Sequence, residues 1–220
     1  MTIRRFAHLA YTECLRFLFP PQCPGCGKSD TYICIACQES IVPTPTLIPE
    51  RNITALFRYR ASPTVKRMLW LLKYRNKYSI ADIFGRYLRE VIIEHITNDA
   101  VFHGVDVHVV AMPMSPKNMK VRGKNHARLI AEALVRTIPT LTLADENMLK
   151  KVKETKRQAT IHTKSARLKN LVGSMQATNV SGKTIILIDD VTTTGASIAE
   201  ATRALYKAGA HCVRAYVIAH

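Results

Sequence analysis

Four cysteines stand as Cys23-Pro24-Gly25-Cys26 and Cys34-Ile35-Ala36-Cys37, two C-x-x-C pairs with seven residues between them. Zinc takes thiolates at the corners of a tetrahedron, and a C-x-x-C turn delivers two of them from one tight knuckle. Two knuckles close the site. Cys23, Cys26, Cys34 and Cys37 are therefore expected to hold a structural Zn2+ with no open position for a substrate. Disulfides are the competing pairing; a reducing compartment and the few large apolar side chains of this segment favour the metal. Cys14 and Cys212 fall outside the pattern and read as small buried hydrophobes.

A second group follows the apolar run Thr184-Ile-Ile-Leu-Ile188: Asp189, Asp190, Val191, Thr192, Thr193, Thr194, Gly195, Ala196 and Ser197. An apolar run of that length predicts a central buried strand, and the glycine leads into a helix. Backbone N–H groups at a helix start, joined by Thr and Ser hydroxyls, surround one anion such as a monophosphate. The two carboxylates before them suit vicinal ribose hydroxyls or Mg2+ held through water. An ordinary capped strand-to-helix turn accounts for one of these hydroxyls, not for the run. No G-x-x-x-x-G-K-[ST] or G-x-G-x-x-G sequence is present.

A third group is basic. Ser115, Lys117, Lys120, Arg122, Lys124 and Asn125 follow the strand-like Val105–Met112, placing cations at another strand's C-terminal end, where pyrophosphate or nucleic-acid phosphates would fit. Arg157 and Arg167 extend it: Lys150 to Lys169 holds eight Lys or Arg against one Glu. A solvated helix face is the plainer account of such a run.

The whole chain shares this bias. Its 220 residues carry 32 Lys+Arg against 16 Asp+Glu, a formal net charge of +16, so polyanions are the expected partners. Hydrophobic residues at 47% exclude a mainly disordered chain. Every apolar stretch is cut by charge before it could cross a bilayer. Residues 1–20 lack a signal-peptide pattern, which points to the cytoplasm; their apolar positions at helical spacing predict a helix that docks on the core, with lipid contact as the alternative.

Elements that would position these groups can be read from periodicity. Pro-rich Ile41–Pro49 reads as a linker between an N-terminal helix and zinc module, 1–45, and a larger domain, 50–220. In the latter, strands at Ile53–Arg60, Val105–Met112, Thr184–Ile188 and Cys212–Ile218 alternate with helices. These start at Pro63 with Ser62 as cap, run from a Ser79 cap to about Ile96, and cover Asn125–Arg136 and Ala196–Lys207. That alternation predicts an α/β fold with a parallel sheet and ligands at the strands' C-terminal ends. Tyr59, Trp70, Tyr74 and Tyr78 are available for base stacking, although rings at helical spacing more often belong to a core.

The segment Ile185–Ser197 closely resembles the 5-phosphoribosyl-1-pyrophosphate (PRPP) signature of type I phosphoribosyltransferases. That resemblance implies ribose contacts for Asp189 and Asp190 and a 5′-phosphate role for Thr192 to Ser197. Together with the knuckles after Leu18-Phe19-Pro20, the triplet Leu72-Lys73-Tyr74, Arg122-Gly123-x-Asn125, Gln158 and Arg167-x-x-Asn170, the chain resembles the competence protein F (ComF) family over nearly its whole length. It departs where Lys124-Asn125-His126 replaces the family's usual Phe-Asn-Gln. The family implies a type I phosphoribosyltransferase-like sheet and DNA uptake in natural transformation. It further implies handling of single-stranded DNA beside a helicase-like partner at the inner face of the membrane.

Three functions follow as expectations: a single-stranded DNA binder with a PRPP or 5′-phosphate site, an active phosphoribosyltransferase using PRPP and Mg2+, and a PRPP-sensing regulator. No catalytic residue is identified at this level.

Overall fold

Successive side chains of a strand point to opposite faces of its sheet, and the apolar run ahead of Asp189 is apolar on both faces. In the computed structural model, which describes residues 20–49, 52–153 and 171–220, Ile186 and Ile188 enter one hydrophobic core while Ile185 and Leu187 enter another. The sheet between these cores contains β1 (Thr46–Ile48), β2 (Ile53–Phe57), β3 (Val107–Ala111), β4 (Leu141–Leu143), β7 (Thr184–Val191) and β8 (Cys212–Ala219). Its order is β1-β2-β8-β7-β3-β4, and only β1 runs antiparallel to its neighbour. A separate antiparallel pair is formed by β5 (Leu149–Lys151) and β6 (Met175–Ala177). The fold is mixed α/β with a mostly parallel central sheet and flanking helices.

Four of the helices sort by their apolar stripes. On the first face lie α2 (Pro63–Tyr74), α3 (Ser79–Asn98) and α5 (His126–Thr137), burying Met68 and Leu72, Phe84 and Leu88, and Ile130 and Leu134. Behind the other face lies α6 (Ala196–Lys207) with Ile198, Ala201 and Leu205, together with the β5–β6 pair. The short α4 (Pro116–Arg122) stands above β3 with Ser115 as its cap. Helices α3 and α5 approach closely at Gly85, where a Cβ would stand 2.7 Å from the Ala133 Cβ and 2.9 Å from backbone atoms. A small helix α1 (Ile35–Ser40) carries the second knuckle.

The structure amends several expectations. The stretch read as a linker contains β1, which pairs with β2 along the sheet edge, so part of it is sheet. The knuckle segment joins the first core through Cys23 and Ile33, and Tyr87 Oη donates to the Gln38 carbonyl at 2.8 Å. Ser62 makes no capping hydrogen bond, and Ser79 is the first helical residue of α3 rather than its cap. Strand β7 extends three residues beyond Ile188, which carries both aspartates into the sheet. The short β4, β5 and β6 are additions, three residues each and too brief to show periodicity. Residues 1–19, including the expected first helix and Cys14, lie outside the described residues. So do 154–170, with Arg157, Gln158, Arg167 and Asn170.

Candidate functional site

Both knuckles converge. The four cysteine Sγ atoms lie within 4.8 Å of one another, with Cys23 to Cys34 at 3.8 Å and Cys26 to Cys34 at 3.6 Å. Ligands about 2.3 Å from a tetrahedral zinc sit roughly 3.8 Å apart, so the donor set fits that ion in number, chemistry and spacing. The Cys34 N–H points at the Cys23 Sγ from 3.4 Å, the usual support for a thiolate ligand. These cysteines are placed to hold a metal ion, and Cys212 is a buried free thiol as its apolar strand implied.

The acidic pair ends β7. Asp189 shares the parity of Ile185 and Leu187, and Asp190 that of Ile186 and Ile188, so adjacent carboxylates belong to opposite faces of the sheet. On the α2 side, the Lys73 ammonium meets Asp190 Oδ1 at 3.0 Å. The Asp190 N–H donates to Asp189 Oδ1 at 2.8 Å, and Val191 N–H to Asp190 Oδ1 at 2.6 Å. Burial, then the neighbouring Asp190 charge, push the Asp189 carboxyl up to about 7. Half of this site is therefore ready to change charge near neutrality.

The turn that follows is built by its threonines. Thr192 is buried; its N–H donates to the Ala219 carbonyl at 3.0 Å and its Oγ1 accepts from Gly195 N–H at 3.1 Å. Gly195 adopts φ +66°, a left-handed conformation that favours glycine, and from there α6 begins. The Thr194 Oγ1 is buried with no partner among the described residues. A buried hydroxyl left unpaired at a helix start is what an anion-binding turn would present.

The basic loop meets this end of β7 across a cavity of about 240 Å3 whose wall includes Ser115, Arg122, Asn125, Asp189, Asp190 and Ser197. Ser115 caps α4, its Oγ accepting from Asn118 N–H at 3.3 Å. Asn125 caps α5 and donates from Nδ2 to the Met112 carbonyl at 2.9 Å. Both caps set the cavity wall from the residues that start helices. Lys117, Lys120 and Lys124 are exposed and do not line this cavity; Lys124 instead lies over the Tyr78 ring, 4.5 Å from its centroid.

Two residues of the site are not singled out by sequence reasoning. Lys73 enters there only within a family triplet, yet it holds Asp190; the available signal is a cation on the last turn of a helix otherwise apolar on that side. His126 enters only as a departure from the family pattern. It is wholly buried, neither ring nitrogen has a partner among the described residues, and burial lowers its basicity although the Asp190 charge opposes this. Lys151, on β5, also lines the cavity.

Residues 124–220 match the model of the phosphoribosyl transferase domain family. Over 199 residues, 89% of this chain and 82% of the relative, the chain is 26% identical to the DNA utilization protein YhgH of Escherichia coli K12. The corresponding protein of Salmonella typhimurium is 24% identical over the same shares. The competence protein ComFC of Bacillus subtilis is 27% identical over 191 residues, 85% of this chain and 72% of that one. The domain match covers α5, β7, the threonine turn and β8, while the relatives are similar over a larger share of the chain. Its C-terminal part thus matches a phosphoribosyl transferase domain, and most of the chain is similar to DNA utilization and competence proteins.

Proposed function

We propose that this protein handles single-stranded DNA during DNA uptake, in the cytoplasm and beside a helicase-like partner, and that its cavity binds PRPP or a related phosphorylated ribose. The observation that carries this reading is the convergence on one cavity of the acidic pair, of Val191 and Ser197 from the two ends of the threonine turn, and of Arg122 from the basic loop; the turn itself holds the orphaned Thr194 hydroxyl. The chain's +16 charge and the names of its relatives, DNA utilization protein and competence protein, supply the DNA half. No helix among the described residues is long and apolar enough to cross a membrane.

In this reading Asp189 and Asp190 accept hydrogen bonds from the ribose hydroxyls. Thr192 to Ser197 hold the 5′-phosphate, and Ser115, Arg122 and Asn125 face the pyrophosphate. Lys117, Lys120, Lys124, Arg157 and Arg167 serve phosphates of the strand or of PRPP. Mg2+ arriving with PRPP would screen the pyrophosphate charge. Lys73 must release Asp190, or share it, when the ribose binds. The four cysteines hold Zn2+, which ties the knuckles to the core at Cys23.

A second reading, an active phosphoribosyltransferase, is favoured by one observation. A further space of about 270 Å3 shares Pro113, Met114, Asn125 and Lys151 with the first cavity and could take an acceptor. The test is a titration of labelled single-stranded DNA at several salt concentrations, with and without PRPP and Mg2+, beside calorimetry of PRPP binding to wild type and to Asp189→Asn/Asp190→Asn. Steep salt dependence, and PRPP binding that the double variant loses, support the proposal. Normal PRPP binding with no DNA binding at low salt would replace it by the transferase, and unaltered PRPP binding by the variant would sink the site assignment.

A further inference from the structure

Helix α2 is sorted as sharply on its outer side as on its inner one. Val65, Met68, Leu69, Leu71 and Leu72 are buried, whereas Lys66, Arg67 and Tyr74 are exposed and Trp70 is half-buried. From Arg58 to Lys77 the sequence holds seven Lys or Arg and no Asp or Glu. A solvated helix face normally mixes both signs, so this bias asks for an anion.

The rings lie among the cations. Arg67 stands 4.3 Å and Arg75 5.6 Å from the Trp70 ring centroid, and Arg122 stands 5.9 Å from that of Tyr74. Lys66 lies over Tyr59 at 5.6 Å, Lys124 over Tyr78 at 4.5 Å, and Lys77 over Tyr32 of the knuckle segment at 4.3 Å. Every cation–ring pair found among the described residues has at least one partner within 59–78, on α2 or beside its ends. Trp70 and Tyr74, one turn apart, have centroids 6.1 Å apart, and Tyr74 is 59% exposed. Unpaired bases stack on exposed rings while cations track the backbone; a duplex hides its base faces and would leave the rings unused.

We propose that this face of α2 is where a single strand lies, its bases stacking on Trp70 and Tyr74 and its phosphates meeting Arg67, Arg75 and Arg122. The assignment rests on the DNA-binding reading above and adds the surface. An anionic lipid surface is the other polyanion to consider, but membrane-lying helices present large aliphatic side chains outward, and those of α2 point into the core. The face also abuts the cavity: Arg122 belongs to the cavity wall and to the Tyr74 pair, and Lys73 of the same helix holds Asp190.

The test is fluorescence anisotropy of a fluorescein-labelled oligothymidylate with the full chain at several salt concentrations. Trp70→Ala/Tyr74→Ala is expected to weaken binding about tenfold or more, and Trp70→Phe/Tyr74→Phe to restore most of it, because stacking needs a ring and not that particular ring. Arg67→Ala/Arg75→Ala is expected to lower the slope of log K against log salt by about 1.4, two phosphate contacts on a single strand. Lys207→Glu, on α6 behind the opposite sheet face, should leave the ring dependence intact. Tyr74→Ala alone, at an exposed position, serves if the Trp70 change unfolds the chain. Wild-type binding with unchanged ring and arginine variants would overturn the assignment while leaving the DNA reading standing. No binding by wild type at low salt would remove both. Variants that keep the oligothymidylate but lose phosphatidylglycerol vesicles would assign the face to lipid instead.

Discussion

Replacing Asp189 by Asn should make the protein gain stability relative to wild type as pH rises, which is the opposite of what removing a useful hydrogen-bonding carboxylate usually does. The Asp189 carboxyl titrates near 7 in the folded chain against an ordinary value of 3.8, because burial and the Asp190 charge disfavour its ionised form. Between those two values the folded state binds more protons than the unfolded one. The stability present below about pH 4 is therefore lost as pH rises through 7. A separation of about three pH units, at about 1.4 kcal/mol each, gives an upper figure of about 4 kcal/mol. Asp189 retains some solvent contact and Lys73 stands nearby, so about 2 kcal/mol is the working value. The substituted amide cannot ionise. Urea unfolding of wild type and Asp189→Asn at pH 5 and pH 8 should thus show the variant gaining about 2 kcal/mol on wild type between the two. Comparing the proteins at each pH cancels what the cysteines contribute. A difference that does not change with pH would refute the reasoning, since it would mean that Asp189 ionises as easily folded as unfolded.

The remaining perturbations address other parts of the fold. Cys23→Ser/Cys34→Ser should release about one zinc per chain, read by metal analysis, and lower the melting temperature, because structural zinc supplies folding energy outright and Cys23 belongs to the shared core. A metal-free wild type of undiminished stability would contradict this. Gly85→Ala should cost about 1–2 kcal/mol in denaturant unfolding: the added methyl meets the backbone of α5, which cannot swing aside like a side chain, and better helix propensity offsets only part of that cost. Lys73→Met should destabilise by about 1–3 kcal/mol at pH 8 and by less at pH 5, where Asp189 is protonated and the pair carries one charge instead of two. Equal losses at both pH values would dissociate Lys73 from the carboxylates.

What was legible in the sequence were the features whose chemistry is local. Two C-x-x-C pairs, an apolar run before two aspartates, and a glycine before an amphipathic stretch each state their own geometry, and the corresponding knuckles, strand and helix stand where expected. Residues brought in from elsewhere in the chain were not legible. Lys73 and Asp190 are 117 positions apart and meet only because β8 and β7 set α2 against the end of the sheet. His126 follows a helix cap and carries no sign in its neighbours that both ring nitrogens will be enclosed. The three-residue strands are products of tertiary pairing, which overrides weak local propensity. Ring exposure was decided the same way: Trp70 and Tyr74 stand at core-like spacing, but Leu69, Leu71 and Leu72 already fill the inner side of α2, so Tyr74 is left toward solvent and Trp70 is half-buried at the edge of the core.

That division of α2 bears on how the proposed strand face and the proposed PRPP cavity would act on one another. One helix presents rings and arginines outward, and from its last turn it extends Lys73 to the acidic pair. Arg122 does the converse, reaching the Tyr74 ring from the cavity wall. A pyrophosphate in the cavity would draw on Arg122, and a ribose on Asp190 would compete with Lys73, so both ends of a bound PRPP act on groups that also shape the strand face. Linkage requires the effect to run both ways: whatever PRPP does to strand affinity, the strand does to PRPP affinity. Arg122 is a cation that both ligands want, so its part of the coupling should be antagonistic and should be lost in Arg122→Ala, leaving only the Lys73 route; calorimetry of PRPP binding with and without oligothymidylate reads the difference.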